Sequence, residues 1–338
     1  MRAFIVACIA TLLLFSCNNR NKAPDVSDIK INLSTERFEK KLFDSASLSF
    51  VSYLQELQNS SPQFVRTYLI KILGADPSWP ADTTAAYVNN FISAYKPIYR
   101  DSEKKIKDFS KIETSIKYSL QLTKYYFPKY KVPEKIFTYI GPADGYTAII
   151  SNEGLLIGLQ GYLGYNHPVY KTEMVSQFYP EYISQRFEPE YIPVDGMKAI
   201  LNTDLYPETE NDKSLVNEMV EKGKRLYILQ KLLPDVPGYM LIGYKEKQMK
   251  WCDKNEPYIW DFFVKNSLLQ STDKNLMKNY IEEGPNTQEL GPDSPGNIGS
   301  YAGWQIVKKY MDKKPTTTLE QLIKVDEEII FQEAKYKP

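Results

Sequence analysis

Cys17 is the residue whose setting predicts covalent chemistry most directly. It follows Leu14-Phe15-Ser16 at the end of an apolar run over residues 3–15, which begins after the basic Arg2. An apolar segment of this length is short for a membrane span and is typical of a secretory signal peptide. The small residue before the cysteine completes a bacterial lipoprotein box. Cleavage before Cys17 would leave a thiol to be diacylated and an amine to be acylated, which would tether the protein to a membrane by lipid.

This processing divides the chain into three predicted parts. Residues 1–16 form the signal peptide, residues 17–34 form the lipidated N-terminus and a flexible tether, and residues 35–338 form a single domain. An ordinary secretory peptide or one transmembrane anchor is the alternative. Asn18 replaces the aspartate that retains lipoproteins in the inner membrane of diderm bacteria, and residues 18–22 are basic and polar. We therefore expect a lipid anchor in the outer membrane, with the protein facing the periplasm.

His167 is the single histidine of the chain, and it limits the catalytic chemistry available. A zinc site of the His-Glu-x-x-His type needs two histidines on one helical face. A Ser-His-Asp triad would have to use His167, and no Gly-x-Ser-x-Gly motif accompanies it. No Gly-x-Gly-x-x-Gly or Walker-type loop offers a nucleotide cofactor an anchor. We expect no enzymatic activity, no metal and no cofactor, with His167 at the surface.

Glu218 and Glu221 are the best-spaced carboxylates for acid–base work of the glycosidase type. Both lie in a predicted helix over residues 213–233. The spacings Glu218 to Lys222 and Glu221 to Arg225 are also those of favourable i,i+4 ion pairs. We predict that the two acids lie on a solvated helix face.

A predicted helix near the C-terminus combines small and aromatic residues. Gly299 and Gly303 lie about one helical turn apart, and Tyr301 and Trp304 lie beside them. Glycine inside a helix costs about 1 kcal/mol relative to alanine, so either close packing or a binding surface should offset this cost. If exposed, Tyr301, Trp304 and the loop over residues 284–296 would form a platform for a glycan or a peptide.

The composition fits a globular protein that does not bind nucleic acid. The 42 basic residues balance 42 acidic ones, and removal of residues 1–16 takes away only Arg2, which leaves a net charge of −1. No polybasic patch stands out. Cys8 would leave with the signal peptide and Cys17 would carry lipid, so Cys252 has no partner for an intramolecular disulfide. We predict that Cys252 is buried and unreactive.

The spacing of apolar residues predicts an α+β domain that is mostly helical with one small antiparallel sheet. Residues 35–130 form the helical half, with a helix start at Ser61-Pro62 and breaks at Pro97 and Phe109. Residues 131–338 form the half that holds the sheet. Its strands are predicted in 135–141 and 146–164, with a hairpin turn at 151–154, and its helices in 189–205, 213–233, 246–264, 273–282, 297–312 and 318–325. The loop over 284–296 is rich in Gly and Pro and is a candidate for lining a cleft.

Several blocks resemble the gliding motility lipoprotein GldB family of Bacteroidetes. They include GLLIGLQGYLGYNHPVYK (154–171), YISQRFEPEYIPVDGMKAIL (182–201) and GPDSPGNIGSYAGWQIVKKYM (291–311), and the resemblance runs in order over residues 34–338. It implies a cell-envelope lipoprotein needed for surface gliding. It also implies protein partners in the gliding machinery, which is coupled to the type IX secretion apparatus that carries adhesins to the cell surface.

A second resemblance concerns the fold. The segment over 215–235, followed by GSYAGWQIVKKYM, is similar to the end of a family of predicted zinc proteases. In that family one helix carries His-Glu-x-x-His, and a later helix carries Glu-Gly with the third zinc ligand. Here residues 189–206 contain no histidine, and Lys222-Gly223 replaces Glu-Gly, with Glu221 displaced by one position. The resemblance implies a zincin-like scaffold without its metal, whose cleft would bind a peptide or a glycan.

Three functions therefore stay open on the sequence alone. The first is a non-catalytic component of the gliding and secretion machinery. The second is an envelope hydrolase that works through carboxylates, which needs an acid with an environment-shifted pKa. The third is a periplasmic glycan- or peptide-binding lipoprotein that uses tyrosine and tryptophan side chains.

Overall fold

The computed structural model describes residues 23–44, 59, 61–208 and 212–338. The predicted signal peptide and Cys17 lie outside these residues. The main hydrophobic core draws on both halves of the domain, from Val26 near the N-terminus to Tyr336 near the C-terminus. No helix in the described part of the chain is long and apolar enough to cross a bilayer.

A four-stranded mixed sheet lies within this core. Its strands are β1 (Ser34–Arg37), β2 (Lys135–Tyr139), β3 (Ala148–Ser151) and β4 (Gly154–Gly158), in the order β1-β2-β4-β3. The hairpin of β3 and β4 is antiparallel, as predicted, but β2 is parallel to both β1 and β4. The α+β class with one small sheet is therefore confirmed, while the antiparallel pairing predicted for the sheet holds only for the hairpin.

Strand β1 was not expected, because Ser34 ends the predicted tether and the rest of the strand belongs to the half predicted to be helical. Four residues are too few to show the apolar periodicity of a helix or of a strand. Their pairing partners also lie about a hundred positions away, with Ser34 opposite Lys135. The strand exists because β2 offers it an edge. Local propensity did not decide it.

Four α-helices of the first half have both bounds among the described residues. They are α1 (Phe38–Asp44), α2 (Pro62–Arg66), which continues as a π-helix (Thr67–Ile72), α3 (Ala81–Lys105) and α4 (Ser110–Tyr126). Pro97 lies inside α3 and does not end it, which corrects the predicted break. Pro97 and Ser93 are both exposed, so water can bond to the carbonyl that proline leaves without a helical partner.

The second half contains eleven helices among its described residues. They are α5 (Glu173–Phe178), α6 (Glu181–Ser184), α7 (Ile192–Ile200), continued by a π-helix (Leu201–Leu205), α8 (Leu215–Leu232), α9 (Gly238–Ile242), α10 (Glu246–Lys254), α11 (Glu256–Lys265), α12 (Lys274–Ile281), α13 (Ile298–Lys313), α14 (Leu319–Lys324) and α15 (Glu327–Ala334). The helix predicted over 246–264 is divided between α10 and α11 at Asn255, and Pro257 lies in the first turn of α11. Helix α15 was missed.

The segment before β1 packs on the domain, which corrects part of the predicted tether over residues 17–34. Val26 and Ile31 are buried. The side-chain amide of Gln121 on α4 donates to the carbonyl oxygen of Ile29 at 2.7 Å. These contacts place residues 26–31 in the folded domain and shorten any tether to the positions before them.

Candidate functional site

The residues predicted as an aromatic binding surface lie in the core. Tyr301 and Trp304 on α13 are each 1% exposed, so the expected platform is not accessible. The Tyr301 hydroxyl donates to Asp253 on α10 at 3.0 Å. A Cβ on Gly299 would lie 2.9 Å from the Tyr280 carbonyl oxygen. The alternative of close packing is therefore confirmed, and the binding-surface prediction is wrong for these residues.

Gly303 explains why α13 needs small residues. A Cβ at this position would overlap the backbone carbonyl of Met219 on α8. The two helix backbones approach closely because Gly223 on α8 faces Gly303. The small residues thus serve the contact between α8 and α13.

Cys252 and His167 both have structural roles. Cys252 is buried, as predicted, and burial raises the pKa of its thiol. His167 was expected at the surface but is half-buried. Its Nδ1 accepts from the backbone N–H of Val169 at 3.3 Å, and its Nε2 lies 3.3 Å from a carboxylate oxygen of Asp101. The ring caps the 3-10 helix Pro168–Lys171.

The prediction that Glu218 and Glu221 both lie on a solvated helix face is wrong for Glu221, which is only 6% exposed. Its two oxygens accept from Lys213 at 2.6 Å and from Arg225 at 2.8 Å, and the second contact is the predicted i,i+4 pair. Burial raises the pKa of Glu221, but the hydrogen bonds and charges of Lys213 and Arg225 outweigh it and leave the pKa lowered. The predicted pair of Glu218 with Lys222 is not among the ion pairs of the described residues.

Glu218 and Glu221 line a cavity of about 710 Å³ between α8 and α12. Burial raises the pKa of Glu218, and the negative charge of Glu221 adds to this rise. The two carboxyl groups therefore have pKa values shifted in opposite directions, which is the pattern that acid–base pairs show in enzymes. The same shifts also arise in structural ion networks.

The ion pairs of Glu221 continue into a network that holds α15. Lys224 on α8 is buried and donates to Glu327 at 2.6 Å, and Lys213 lies 3.4 Å from the second oxygen of Glu327. The Arg225 guanidinium stacks on the ring of Tyr206. This network joins the C-terminal helix to the centre of the domain.

A separate cleft is lined by polar and aromatic side chains. This tyrosine cleft has a volume of about 360 Å³ and lies between α6 and the helices α9 and α10; its lining includes Tyr165, Ser184, Gln185, Tyr191, Tyr239 and Tyr244. Sequence reasoning missed these residues individually. The abundance of tyrosine, 26 in the whole chain, was the only signal.

A small cavity adjoins the tyrosine cleft and shares Gln185 and Tyr244 with it. Its volume is about 20 Å³, and Gly284, Pro295 and Gly296 of the predicted loop line it. Of these two cavities, the loop therefore lines only the small one, and none of its residues lines the tyrosine cleft. The Tyr244 hydroxyl donates to the carbonyl oxygens of Gly296 and Asn297, which fixes the loop against the cleft wall.

Charged side chains cluster beside the tyrosine cleft. Two of them lie in the segment 189–206, where the zinc-protease resemblance places the helix that holds the metal. Asp195 and Lys198 lie three residues apart on α7. Asp195 accepts from the Tyr162 hydroxyl at 2.9 Å, and Arg186 donates to Glu283 at 2.7 Å.

Burial is the largest cause of the pKa shifts of Asp195 and Lys198. It raises the pKa of Asp195, although Lys198 and Arg186 oppose the rise. Burial and then the positive charge of Arg186 lower the pKa of Lys198. Within the described ranges, no group of three His, Cys, Asp or Glu side chains is placed to hold a metal ion.

Comparison with known proteins gives one match. A family model described as gliding motility protein GldB matches residues 19–338. No curated protein and no solved structure matches the chain.

Proposed function

The chain belongs to the family of the gliding motility protein GldB, and from this premise we propose that it is a non-catalytic envelope lipoprotein required for gliding. Acylated Cys17 would anchor it in the outer membrane, facing the periplasm. Its partners would be proteins of the gliding machinery and of the type IX secretion apparatus. The observation that carries the proposal is the family match over residues 19–338.

The contacts of the candidate catalytic side chains support a role without catalysis. Both carboxylate oxygens of Glu221 accept from cations, one from the partly buried Lys213 and one from the buried Arg225. Both ring nitrogens of His167 have neighbours, the Val169 N–H and the Asp101 carboxylate. Side chains held in this way stabilise the fold and are poorly placed to exchange protons with a substrate.

One observation favours a second candidate, an envelope hydrolase. Glu218 lines the 710 Å³ cavity and has the raised pKa that a general acid requires. A mechanism with paired carboxylates also needs a second free carboxylate, and the ion pairs of Glu221 argue against it. Cleavage of peptidoglycan by the purified protein, abolished by Glu218→Gln, would favour this candidate over the first.

The test of the leading proposal is complementation of a clean deletion in the organism that encodes this chain. We expect the deletion to abolish colony spreading and adhesin secretion. Wild type should restore both, and Cys17→Ala should restore neither, because it removes the acylation site. Cys8→Ala is the matched control, since it changes a cysteine that would leave with the signal peptide.

Two outcomes would contradict the proposal. Normal spreading and secretion in the deletion strain would remove the role in gliding. Full rescue by Cys17→Ala, at a protein level equal to wild type, would remove the lipid anchor as a requirement. Glu218→Gln should restore spreading as well as wild type does if no catalysis is involved.

A further inference from the structure

The floor of the tyrosine cleft holds two hydroxyl groups that have no partner among the described residues. Tyr191 is 8% exposed and Ser184 is 2% exposed, and both line the cleft. Neither side-chain hydroxyl forms a hydrogen bond within the described part of the chain. Neither hydroxyl oxygen is among the fully buried polar atoms that lack a hydrogen-bond partner, so both oxygens reach open space and can bond to a ligand that enters the cleft.

Tyr191 keeps its proton under these conditions. Burial raises the pKa of Tyr191 to about 12, although the positive charge of Arg186 opposes the rise. The phenol is therefore a neutral hydroxyl near pH 7, able both to donate and to accept. The Ser184 hydroxyl has the same two capacities.

The walls of the cleft are aromatic. Tyr165 and Tyr239 both line the cleft, Tyr165 with about half of its surface exposed and Tyr239 partly buried. Tyrosine rings offer a flat apolar face with a polar end, which suits ligands that combine apolar faces with hydroxyl groups.

The charges at the rim balance. Lys171 and Lys245 are exposed there, and so are Glu181 and Glu246. Two cations and two anions around one opening produce no strong preference for a charged ligand. The electrostatics of the cleft therefore favour a neutral ligand.

We infer that the tyrosine cleft binds a neutral saccharide, with sugar rings against the tyrosine walls and sugar hydroxyls on Tyr191 and Ser184. Its volume of about 360 Å³ falls in the range of small-ligand sites. The inference goes beyond the proposed role in gliding and does not depend on it, since binding is measured on the purified protein and spreading on cells.

Peptide ligands fit the cleft less well. Strand addition needs a sheet edge, and helices and loops line this cleft. Polyproline segments do dock in aromatic grooves, but a proline backbone offers carbonyl acceptors and no N–H donors. The hydroxyl groups of Tyr191 and Ser184 can both donate and accept, so they match sugar hydroxyls more fully than they match a proline backbone.

Calorimetric titration of the full-length protein tests the inference. The protein is purified in a detergent without a sugar headgroup, and the probes are chitotriose, maltotriose and a proline decapeptide. The two sugars separate an N-acetylated ligand, such as a cell-wall glycan, from a plain hexose. We expect saturable binding of at least one trisaccharide.

The variants locate the binding in the cleft. Tyr191→Phe and Ser184→Ala should each weaken the binding about fivefold to tenfold, as the loss of one hydrogen bond does. Tyr165→Ala should weaken it by a similar factor through the lost ring. Tyr258→Phe is the matched control, because it removes a hydroxyl from a tyrosine that is 52% exposed on α11, outside the cleft. Melting temperatures within a few degrees of wild type would show that each variant folds.

Three results would overturn the inference. The first is no saturable binding of either trisaccharide. The second is the same affinity in wild type, Tyr191→Phe and Ser184→Ala. The third is binding of the proline decapeptide alone, weakened by Tyr191→Phe, which would assign the cleft to a peptide.

Discussion

Gly223 of α8 and Gly303 of α13 lie against each other where these two helices pack. A Cβ on Gly223 would overlap the carbonyl group of Gly303, and a Cβ on Gly303 would overlap the carbonyl group of Met219. The contact joins the two longest helices of the second half, and both helices also contact α15. Their backbone approach therefore sets the position of the C-terminal region.

Gly303→Ala should destabilise the protein by about 3 kcal/mol, because the added methyl forces two backbones apart. The free energy of unfolding, measured in urea, gives the value. Gly284→Ala is the matched control, since a Cβ there would meet no atom closer than 4.0 Å. An equal loss in both variants would show that the cost arises elsewhere than at the contact of α8 with α13.

Glu221→Gln should lower the free energy of unfolding by about 3 kcal/mol, because it leaves the partly buried Lys213 and the buried Arg225 without their shared anion. Asp261→Asn removes an exposed i,i+4 partner of Lys265 and should cause no resolvable loss. Chemical denaturation at pH 7 compares the two. A wild-type value for Glu221→Gln would mean that the ion network contributes nothing to folding.

The effect of Glu221 should depend on pH. Its pKa in the folded protein is below its ordinary value of 4.5, so its stabilising contribution is complete above pH 4.5 and is lost as pH falls through the folded pKa. The difference in unfolding free energy between wild type and Glu221→Gln should therefore shrink in acid. A difference that stays constant from pH 7 to the acid side of pH 4.5 would contradict this assignment.

Glu218 should show the opposite sign. Its pKa in the folded protein is raised, so its ionisation disfavours the folded state as pH rises above 4.5. Glu218→Gln should be somewhat more stable than wild type at pH 7 and indistinguishable from it below pH 4.5. Thermal unfolding at the two pH values gives the comparison, and a variant less stable than wild type at pH 7 would contradict the sign.

Thiol titration should find Cys252 unreactive in the folded protein, because its side chain is buried and its pKa is raised. After denaturation, one thiol per chain should react in the mature protein, since acylation would block Cys17. Two reactive thiols after denaturation would show that Cys17 carries no lipid on its sulfur. Rapid reaction before denaturation would contradict the burial of Cys252.

The elements with strong local signals were predictable from the sequence. Helices α8 and α12 fall within the predicted ranges, and α13 extends one residue beyond its range, because their apolar residues recur at helical spacing over two or more turns. The hairpin of β3 and β4 was predictable from its turn at residues 151–154. The family, too, was recognisable from sequence blocks, and the family match over 19–338 confirms it.

The sequence alone also determined several limits on chemistry. One histidine rules out a two-histidine zinc site, and the box around Cys17 predicts the lipid anchor. These conclusions depend on which residues are present and on short-range order. Neither requires knowledge of how distant segments meet.

Only the tertiary structure decided which groups are accessible. Tyr301 and Trp304 looked suited to a binding platform, yet they are buried because α13 packs among α8, α12 and α15. Tyr191 and Ser184 carried no local signal, yet they share a cleft with Tyr239 because α6 and α9, about fifty residues apart, fold against each other. Burial and proximity are properties of long-range packing, which a residue's own neighbours in the chain do not specify.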